Sequence, residues 1–357
     1  MTIVPGPSLN NGHRPPVTTR STRRRLLLAA CALLLSSPGV SAQERGATVV
    51  EWAPDGNVII AARGLLGRFS LDSPQEELLD KSGVTFALSP DGARLAVAGR
   101  DRLEIRRYND WSVEATYGLP EGEGPRELVT VAWSPDGRTL AGGSRTGHLL
   151  LWDMGSQELW ADLGIEPPTA LVHLAFSADS VRLLAAFDDG RAILWDLEQK
   201  KEVGRYGTSR SGQESSKAET ESLFSALSPD GRRVLANYFL LAPGEHRDVK
   251  NQVEEEFAVL DDGGRELWHR AGSGVEFTRG GDGVLALVPP FRIVALYRAD
   301  NGENLRVFEP PEFVRSLYLV RQSPDGTKLL GIGTDETSKQ VMVVWDFATA
   351  RVLKTRR

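Results

Sequence analysis

Histidine and carboxylate side chains are the residues of this chain most suited to acid–base or metal chemistry. The chain has five histidines: His13, His148, His173, His246 and His269. None of them stands at metal-ligand spacing from another histidine or from a carboxylate. His173 also alternates into a predicted strand. We therefore interpret the histidines as structural, and we expect no metal site and no cofactor.

Two further runs carry residues that resemble catalytic groups. Residues 254–256 (EEE) place three carboxylates together, which is typical of the solvated start of a strand. Residues 246–251 (HRDVKN) resemble a kinase catalytic loop, but that loop needs its asparagine five residues after the aspartate. Here Asn251 follows Asp248 by three. The sequence also has no G-x-S-x-G turn, no Walker-type phosphate loop and no H-E-x-x-H motif, so it does not predict an enzyme.

The charge distribution bears on the class of partner. The formal net charge of the 357-residue chain is −6. Residues 1–42 hold five of the 42 basic residues and no acidic residue, which leaves 37 basic and 48 acidic residues in the remainder, a net charge of −11. An acidic body without a basic stripe argues against nucleic acid as a partner.

The N-terminus has the pattern of an export signal. Residues 1–22 are polar and proline-rich and are predicted to be disordered, and three arginines follow at 23–25. An apolar run over 26–35 and a V-x-A sequence ending at Ala42 complete a secretory signal peptide. The run is too short for a comfortable membrane span. We expect a mature, extracytoplasmic chain that begins at Gln43 and has no membrane span.

Three alternative interpretations of this export signal remain open. Residues 22–27 (TRRRLL) resemble a twin-arginine export motif, which would carry a folded protein. Residues 28–31 (LAAC) resemble a lipobox, which would lipid-anchor the chain at Cys31. An uncleaved signal anchor is the third variant. Cys31 is the single cysteine, so a chain cleaved after Ala42 would contain no disulfide.

A tight-turn signal recurs through the rest of the chain. Ser-Pro-Asp-Gly or Ala-Pro-Asp-Gly begins at positions 53, 89, 134, 228 and 323, and degenerate copies lie at 177–180 and 279–283. Proline presets the backbone of the turn, aspartate bonds to it, and glycine accepts positive φ. Steps of 36 to 51 residues between copies are typical of a four-stranded propeller blade.

Each unit contains four predicted strands. In the third unit they are 128–133, 139–144, 148–152 and 158–163. The first three are apolar on both faces, as expected of sheets packed between neighbours, and the fourth is polar, as expected of an outer edge. The chain is therefore predicted to be all-β, a seven-bladed β-propeller of four-stranded antiparallel blades over residues 43–357. No strand is left over to be exchanged between its ends.

The repeated unit resembles a WD-repeat blade. Residues 131–163 (VAWSPDGRTLAGGSRTGHLLLWDMGSQELWADL) carry the likeness, and residues 174–207 follow in register. The Trp-Asp markers of the repeats are Trp152-Asp153, Trp195-Asp196 and Trp345-Asp346. The Gly-His pair of the family is missing, and Asp189 alone fits its turn aspartate. The resemblance implies a ring of blades, and because these polar residues are missing we expect the blades to be held together mainly by apolar packing.

The longest insertions predict where a partner binds. Residues 208–221 and 240–253 interrupt blades at connections that emerge on the face opposite the SPDG turns, where insertions often form a binding face. The expected partner-binding residues in them are Arg210, Lys217, His246, Arg247, Asp248 and Lys250. We expect a monomer that binds a protein partner through this loop-rich face.

Two classes of function compete at this stage. The leading hypothesis is an exported, non-catalytic protein-interaction scaffold. The alternative is a propeller enzyme, of lactonase, quinoprotein or glycan-active type, with its site in the central channel. The predicted first strands carry residues such as Val131, Leu174, Phe224 and Phe277 and few ionisable groups, which favours the scaffold.

Overall fold

A computed structural model gives the architecture of the chain. It describes residues 49–62, 65–73, 76–80, 85–99, 102–119, 127–164, 169–207, 220–240, 254–289 and 293–357. These residues form 28 strands and no helix. Accordingly, this part of the chain contains no helix that is long and apolar enough to cross a membrane.

The strands form consecutive groups of four, each of which is one blade. Blade 1 contains β1 (Val49–Trp52), β2 (Val58–Ala62), β3 (Leu65–Phe69) and β4 (Glu76–Asp80). Blade 2 contains β5 (Thr85–Leu88), β6 (Arg94–Ala98), β7 (Arg102–Arg107) and β8 (Val113–Gly118). Blade 3 contains β9 (Leu128–Trp133), β10 (Thr139–Ser144), β11 (His148–Asp153) and β12 (Glu158–Gly164). Blade 4 contains β13 (Leu171–Phe176), β14 (Arg182–Phe187), β15 (Ala192–Asp196) and β16 (Lys201–Tyr206).

The second half of the ring repeats the pattern. Blade 5 contains β17 (Thr220–Leu227), β18 (Arg233–Leu240), β19 (Glu254–Asp261) and β20 (Glu266–Ala271). Blade 6 contains β21 (Ser273–Phe277), β22 (Gly283–Val288), β23 (Ile293–Arg298) and β24 (Asn304–Phe308). Blade 7 contains β25 (Val314–Gln322), β26 (Lys328–Asp335), β27 (Gln340–Asp346) and β28 (Val352–Arg356). Every blade is an antiparallel sheet in chain order, so the predicted fold class is confirmed.

The SPDG sequence forms the hairpin between the first and second strand of a blade. In blade 3, Ser134 Oγ donates to Asp136 Oδ1 at 2.6 Å, and Arg138 N donates to the same oxygen at 3.0 Å. Thr139 N donates to Ser134 Oγ at 2.9 Å, and Gly137 has φ +73°. The same serine–aspartate bond, at 2.5 to 2.6 Å, recurs in four other blades: Ser89–Asp91, Ser177–Asp179, Ser228–Asp230 and Ser323–Asp325. The repeated sequence thus satisfies the polar groups of a tight turn locally.

Seven apolar cores hold the blades together, and each lies between two neighbouring blades. One example is the core between blades 3 and 4, which contains Leu149, Leu151, Leu183 and Ile193. The other cores join blades 1 and 2, 2 and 3, 4 and 5, 5 and 6, and 6 and 7, and the seventh joins blade 7 to blade 1. The ring is therefore closed. Because each blade buries both faces, its inner strands are apolar on both faces.

Ring closure uses side chains, since blades 1 and 7 each keep all four of their own strands. Trp52 Nε1 of β1 donates to the carbonyl oxygen of Arg321 in β25 at 3.1 Å. At the rim, Arg356 Nη1 donates to the carbonyl oxygen of Ser70 at 2.6 Å, and Lys354 pairs with Asp72. The expectation that no strand is exchanged between the ends is confirmed for the described residues.

The Trp-Asp markers have an architectural role. Trp152 and Trp345 are 2% and 0% exposed. Each ring lies over a glycine of the second strand, because a Cβ at Gly142 would approach Trp152 Cζ3 to 2.9 Å and one at Gly331 would approach Trp345 Cζ3 to 2.7 Å. The glycine therefore creates the space that the indole fills.

The aspartate of each marker caps the next turn. Asp153 Oδ1 accepts from Gly155 N at 2.9 Å and Ser156 N at 2.8 Å. Asp196 Oδ1 accepts from Gln199 N at 2.7 Å, and Asp346 Oδ1 accepts from Thr349 N at 2.8 Å. These residues shape the hairpin between the third and fourth strand.

We expect Gly331→Ala to destabilise the protein by about 1–3 kcal/mol, because its methyl group overpacks against the Trp345 ring. Gly118→Ala is the matched control, since a Cβ at Gly118 meets no atom within 4 Å. Urea denaturation of both variants measures the difference. Equal stability of the two variants would contradict this account of the indole packing.

Candidate functional site

The predicted partner-binding residues lie outside the part of the chain that the structure describes. They are Arg210 and Lys217 in one insertion, and His246, Arg247, Asp248 and Lys250 in the other. The structure does show the bounds of the insertions, because β16 ends at Tyr206 and β17 begins at Thr220. The assignment of a partner to these residues stays a prediction.

The central channel brings together residues that the sequence analysis missed. The first strands of neighbouring blades contact one another around the whole circle, from β1 through β5 to β25 and back, so they are innermost. The channel row consists of the second residue before each first turn: Glu51, Ala87, Ala132, Ala175, Ala226, Glu276 and Arg321. The residues beside it in β1, Val50 and Trp52, pack into the core with blade 7. The row thus has charged residues on blades 6, 7 and 1 and alanine on the other four blades, where Ala87 and Ala226 are buried in cores between blades.

The three charged residues form one cluster on blades 6, 7 and 1. Arg321 Nη1 lies 3.3 Å from Glu276 Oε2, and Arg321 Nε lies 3.9 Å from Glu51 Oε1. Arg321 Nε also donates to the carbonyl oxygen of Val50 at 3.3 Å. Gln322 N donates to Glu276 Oε1 at 2.6 Å. The cluster therefore ties three consecutive first strands together at the junction between blade 7 and blade 1.

The charges in this cluster stabilise one another. Burial opposes the charge on Arg321, but the carboxylates of Glu276 and Glu51 outweigh it and hold the pKa of Arg321 above its usual value. Burial raises the pKa of Glu276 against the opposing charge of Arg321 and the N–H of Gln322. The guanidinium thus remains charged and neutralises carboxylates that burial would otherwise penalise.

His173 lies in the first strand of blade 4 and is affected by the same charge. Its Nε2 atom is buried and has no hydrogen-bond partner. Burial, with a further contribution from the charge of Arg321, lowers the pKa of His173 to about 4. The imidazole is therefore neutral near pH 7, which agrees with the interpretation of this histidine as structural.

The expectation that first strands carry few ionisable groups is wrong for blades 6, 7 and 1. Aligning the residues before each turn (EW, AL, AW, AF, AL, EF and RQ) would have shown the exception, because four copies have alanine where the other three are charged. Their contact was not predictable, since 270 residues separate Glu51 from Arg321 along the chain. Only closure of the ring makes them neighbours.

The cluster suits charge pairing better than metal or cofactor binding. Within the described ranges, no group of three or more histidine, cysteine, aspartate or glutamate side chains is arranged to hold a metal ion. Both carboxylates face a guanidinium, which makes them poor nucleophiles or bases. The turn aspartate Asp189 likewise serves its own hairpin, since its Oδ1 accepts from Arg191 N at 3.0 Å and its Oδ2 pairs with Arg191 Nε at 2.6 Å.

Comparison with known proteins agrees with this architecture. Residues 121–153 match the family described as WD domain, G-beta repeat. The WD repeat-containing protein VIP3 of Arabidopsis thaliana is 30% identical over 100 residues, which are 25% of this chain and 30% of that protein. The match thus spans under a third of that relative's length.

A solved structure extends the likeness to most of the ring. A chain in the crystal structure of the mitotic checkpoint complex superimposes with a TM-score of 0.61 at 13% sequence identity, covering 87% of this chain and 92% of that chain. This shows a shared fold. The seven four-stranded blades in one ring define the fold as a seven-bladed β-propeller, and the match over residues 121–153 shows that its third blade is similar to a WD repeat. Propellers of this family generally bind other proteins.

The low pKa of His173 predicts a pH-dependent stability. The folded pKa of about 4 lies below the ordinary histidine pKa of 6.5, so the unfolded chain binds the proton more readily. The stabilisation that neutral His173 contributes is complete above pH 6.5. It is lost as the pH falls toward 4, which lowers the free energy of unfolding by up to about 3 kcal/mol. In His173→Gln, the urea-denaturation midpoint should change less between pH 7 and pH 4.5 than it does in the parent.

Asp325→Asn is the control for that measurement. The pKa of Asp325 is lowered to about 2, mainly because its carboxylate accepts from Ser323 Oγ. Its stabilisation is present above pH 3.8 and is lost only below that value, so this variant should keep the slope of the parent between pH 7 and pH 4.5. An unchanged slope in His173→Gln would show that His173 does not titrate in the folded protein as inferred.

Proposed function

We propose that the chain is an exported, non-catalytic scaffold that binds a partner protein through the loop-rich face of the ring. The observation that carries the proposal is that the described residues between 49 and 357 lie in seven blades and their short turns. A ring with seven apolar cores is a rigid support for loops. Similarity to WD-repeat proteins supports protein binding as the general activity.

Export rests on the residues before the ring. The basic residues 23–25, the short apolar run and the V-x-A sequence ending at Ala42 support cleavage there. The first described strand begins at Val49, which leaves a short stretch between the expected cleavage point and blade 1. Cleavage at this point would therefore leave the described blades intact.

The location of the binding face rests on the topology of the blades. The link between two blades and the turn between the second and third strand both leave the sheet opposite the first turn, because all strands are antiparallel. Residues 208–219 and 241–253 occupy two such connections of blade 5. We infer that this pair of insertions, with Arg210, Lys217 and residues 246–250, contacts the partner.

Partner capture tests the binding face. Replacement of residues 212–219 by a Gly-Ser sequence of equal length should leave the thermal midpoint unchanged and reduce capture of proteins from an envelope extract, as measured by mass spectrometry. The fold is preserved because the replaced segment lies between strands. The matched control is Gly118→Ala, on an outer strand. Capture that is equal for the replacement and the parent would contradict the assignment of this face.

Export has its own test. The full chain expressed in a bacterial host should be recovered from the cell envelope with Gln43 as its first residue, as read by mass spectrometry of the intact protein. Cys31→Ser should process normally if the signal is an ordinary secretory one. A cytoplasmic chain that keeps Met1 would contradict export, and a lipid mass on Cys31 would identify the lipid-anchored alternative.

The alternative function, an enzyme with its site in the channel, has one observation in its favour. Glu51, Glu276 and His173 all lie on first strands around Arg321. The geometry supports it less well than the scaffold, because Arg321 pairs with both carboxylates and burial keeps His173 neutral. Glu51→Gln discriminates the two functions, since a scaffold should retain full partner capture while a channel enzyme should lose turnover.

A further inference from the structure

The rim groove is a small cavity between the outer parts of blades 3 and 4. Its volume is about 100 Å³, and blade 3 lines it with Trp160, Ala161 and Leu163. Blade 4 lines it with Trp195, Leu197 and Lys200. The groove lies on the outside of the ring, away from the channel cluster.

A difference of one methyl group between repeats accounts for the groove. In the register of the sheets, Trp152 pairs with Leu140 and Trp345 with Leu329, and the glycine that makes room for each indole follows two residues later. Trp195 pairs with Leu183, and the residue two positions later is Ala185. The Cβ of Ala185 occupies the space that the glycine leaves open in blades 3 and 7. Trp195 is accordingly only half-buried and lines a cavity.

The titratable side chains that line the groove are Lys200 and Asp196. Trp195 Nε1 is buried and has no hydrogen-bond partner, whereas Trp345 Nε1 donates to the carbonyl oxygen of Glu309 at 3.0 Å. Because Trp195 Nε1 has almost no accessible surface, an occupant of the groove does not reach it. The carboxylate of Asp196 is turned into its own hairpin by its bond from Gln199 N.

The mouth of the groove is therefore cationic. Lys200 is exposed, and its ammonium nitrogen lies 5.3 Å from the centroid of the Trp160 ring. It stands at φ +52° in the turn that Asp196 caps, so its backbone direction is held by the hairpin. Apolar walls and an exposed ammonium group both favour the same type of occupant.

We propose that the rim groove binds an apolar side chain carried by an acidic segment of a partner protein. The apolar side chain fills the cavity, and an adjacent carboxylate pairs with Lys200. An apolar cavity of roughly 150 Å³ holds a benzene-sized ligand, so about 100 Å³ suits one branched aliphatic side chain. This proposal rests on the proposed scaffold function and names a second contact surface for it.

Defined peptides test the groove without a known partner. The probe is the fluorescein-labelled hexapeptide GELEEG, measured by fluorescence anisotropy with the full chain at low salt. Replacement of its leucine by alanine should weaken binding about tenfold, because the buried methyl groups are lost. Replacement of its glutamates by lysines should weaken binding about threefold or more, because Lys200 then repels the peptide.

Variants of the protein locate the binding. Ala161→Leu fills the groove from blade 3 and should weaken binding about tenfold. Ala115→Leu is its matched control, since Ala115 pairs with Ile105 in blade 2 as Ala161 pairs with Leu151 in blade 3. Lys200→Glu should weaken binding of GELEEG and strengthen binding of the lysine peptide. Lys201→Glu should change the affinity for either peptide by a smaller factor.

Several results would overturn the proposal. They are equal affinity for the acidic and basic peptides, equal effects of Ala161→Leu and Ala115→Leu, or no binding of GELEEG at millimolar concentration. None of these results would affect capture of proteins through residues 208–219. Failure of the groove and failure of the scaffold function are therefore distinguishable, because the second would appear as loss of all protein capture.

Discussion

Apolar contact between neighbouring blades is the interaction on which this structure depends, because a four-stranded blade has two apolar faces and no means of covering either by itself. Each of the seven cores contains residues of two blades, and the seventh joins blade 7 to blade 1. A ring of this kind cannot be opened at one seam without exposing two faces at once. The indole rings of Trp152 and Trp345 show how close the fit is, since each fills the volume left by a single glycine.

Closure of the ring brings together groups that share no local pattern. Trp52, Arg321 and Arg356 connect the first and last blades through hydrogen bonds, and no strand is exchanged between them. The cluster of Glu51, Arg321 and Glu276 lies at the same junction. A buried ion pair adds little net stability over apolar packing, but it strongly penalises arrangements in which one partner is missing. We infer that the cluster favours correct pairing of blades 6, 7 and 1.

The turns and strands could be predicted because their determinants are local. Ser134 and Asp136 satisfy the turn that contains them, and the short apolar runs within 139–144 and 148–153 set the inner strands. The candidate sites could not be predicted in the same way. The channel cluster combines residues from three blades, and the rim groove depends on Ala185 lying where two other blades have glycine. The insertions of blade 5 were recognised from length and polarity, and their contacts stay a prediction.

The sequence by itself determined the repeat, the all-β class and the number of blades, since each unit carries a turn signal and strands whose periodicity does not depend on distant residues. Tertiary structure alone decided which ionisable groups meet in the channel, how the ring closes and which Trp-Asp marker borders a cavity. The physical reason is that these features depend on volume and charge across an interface between blades. Trp195 and Trp345 look alike in the sequence, yet one methyl group on the neighbouring strand separates an exposed groove from a filled core.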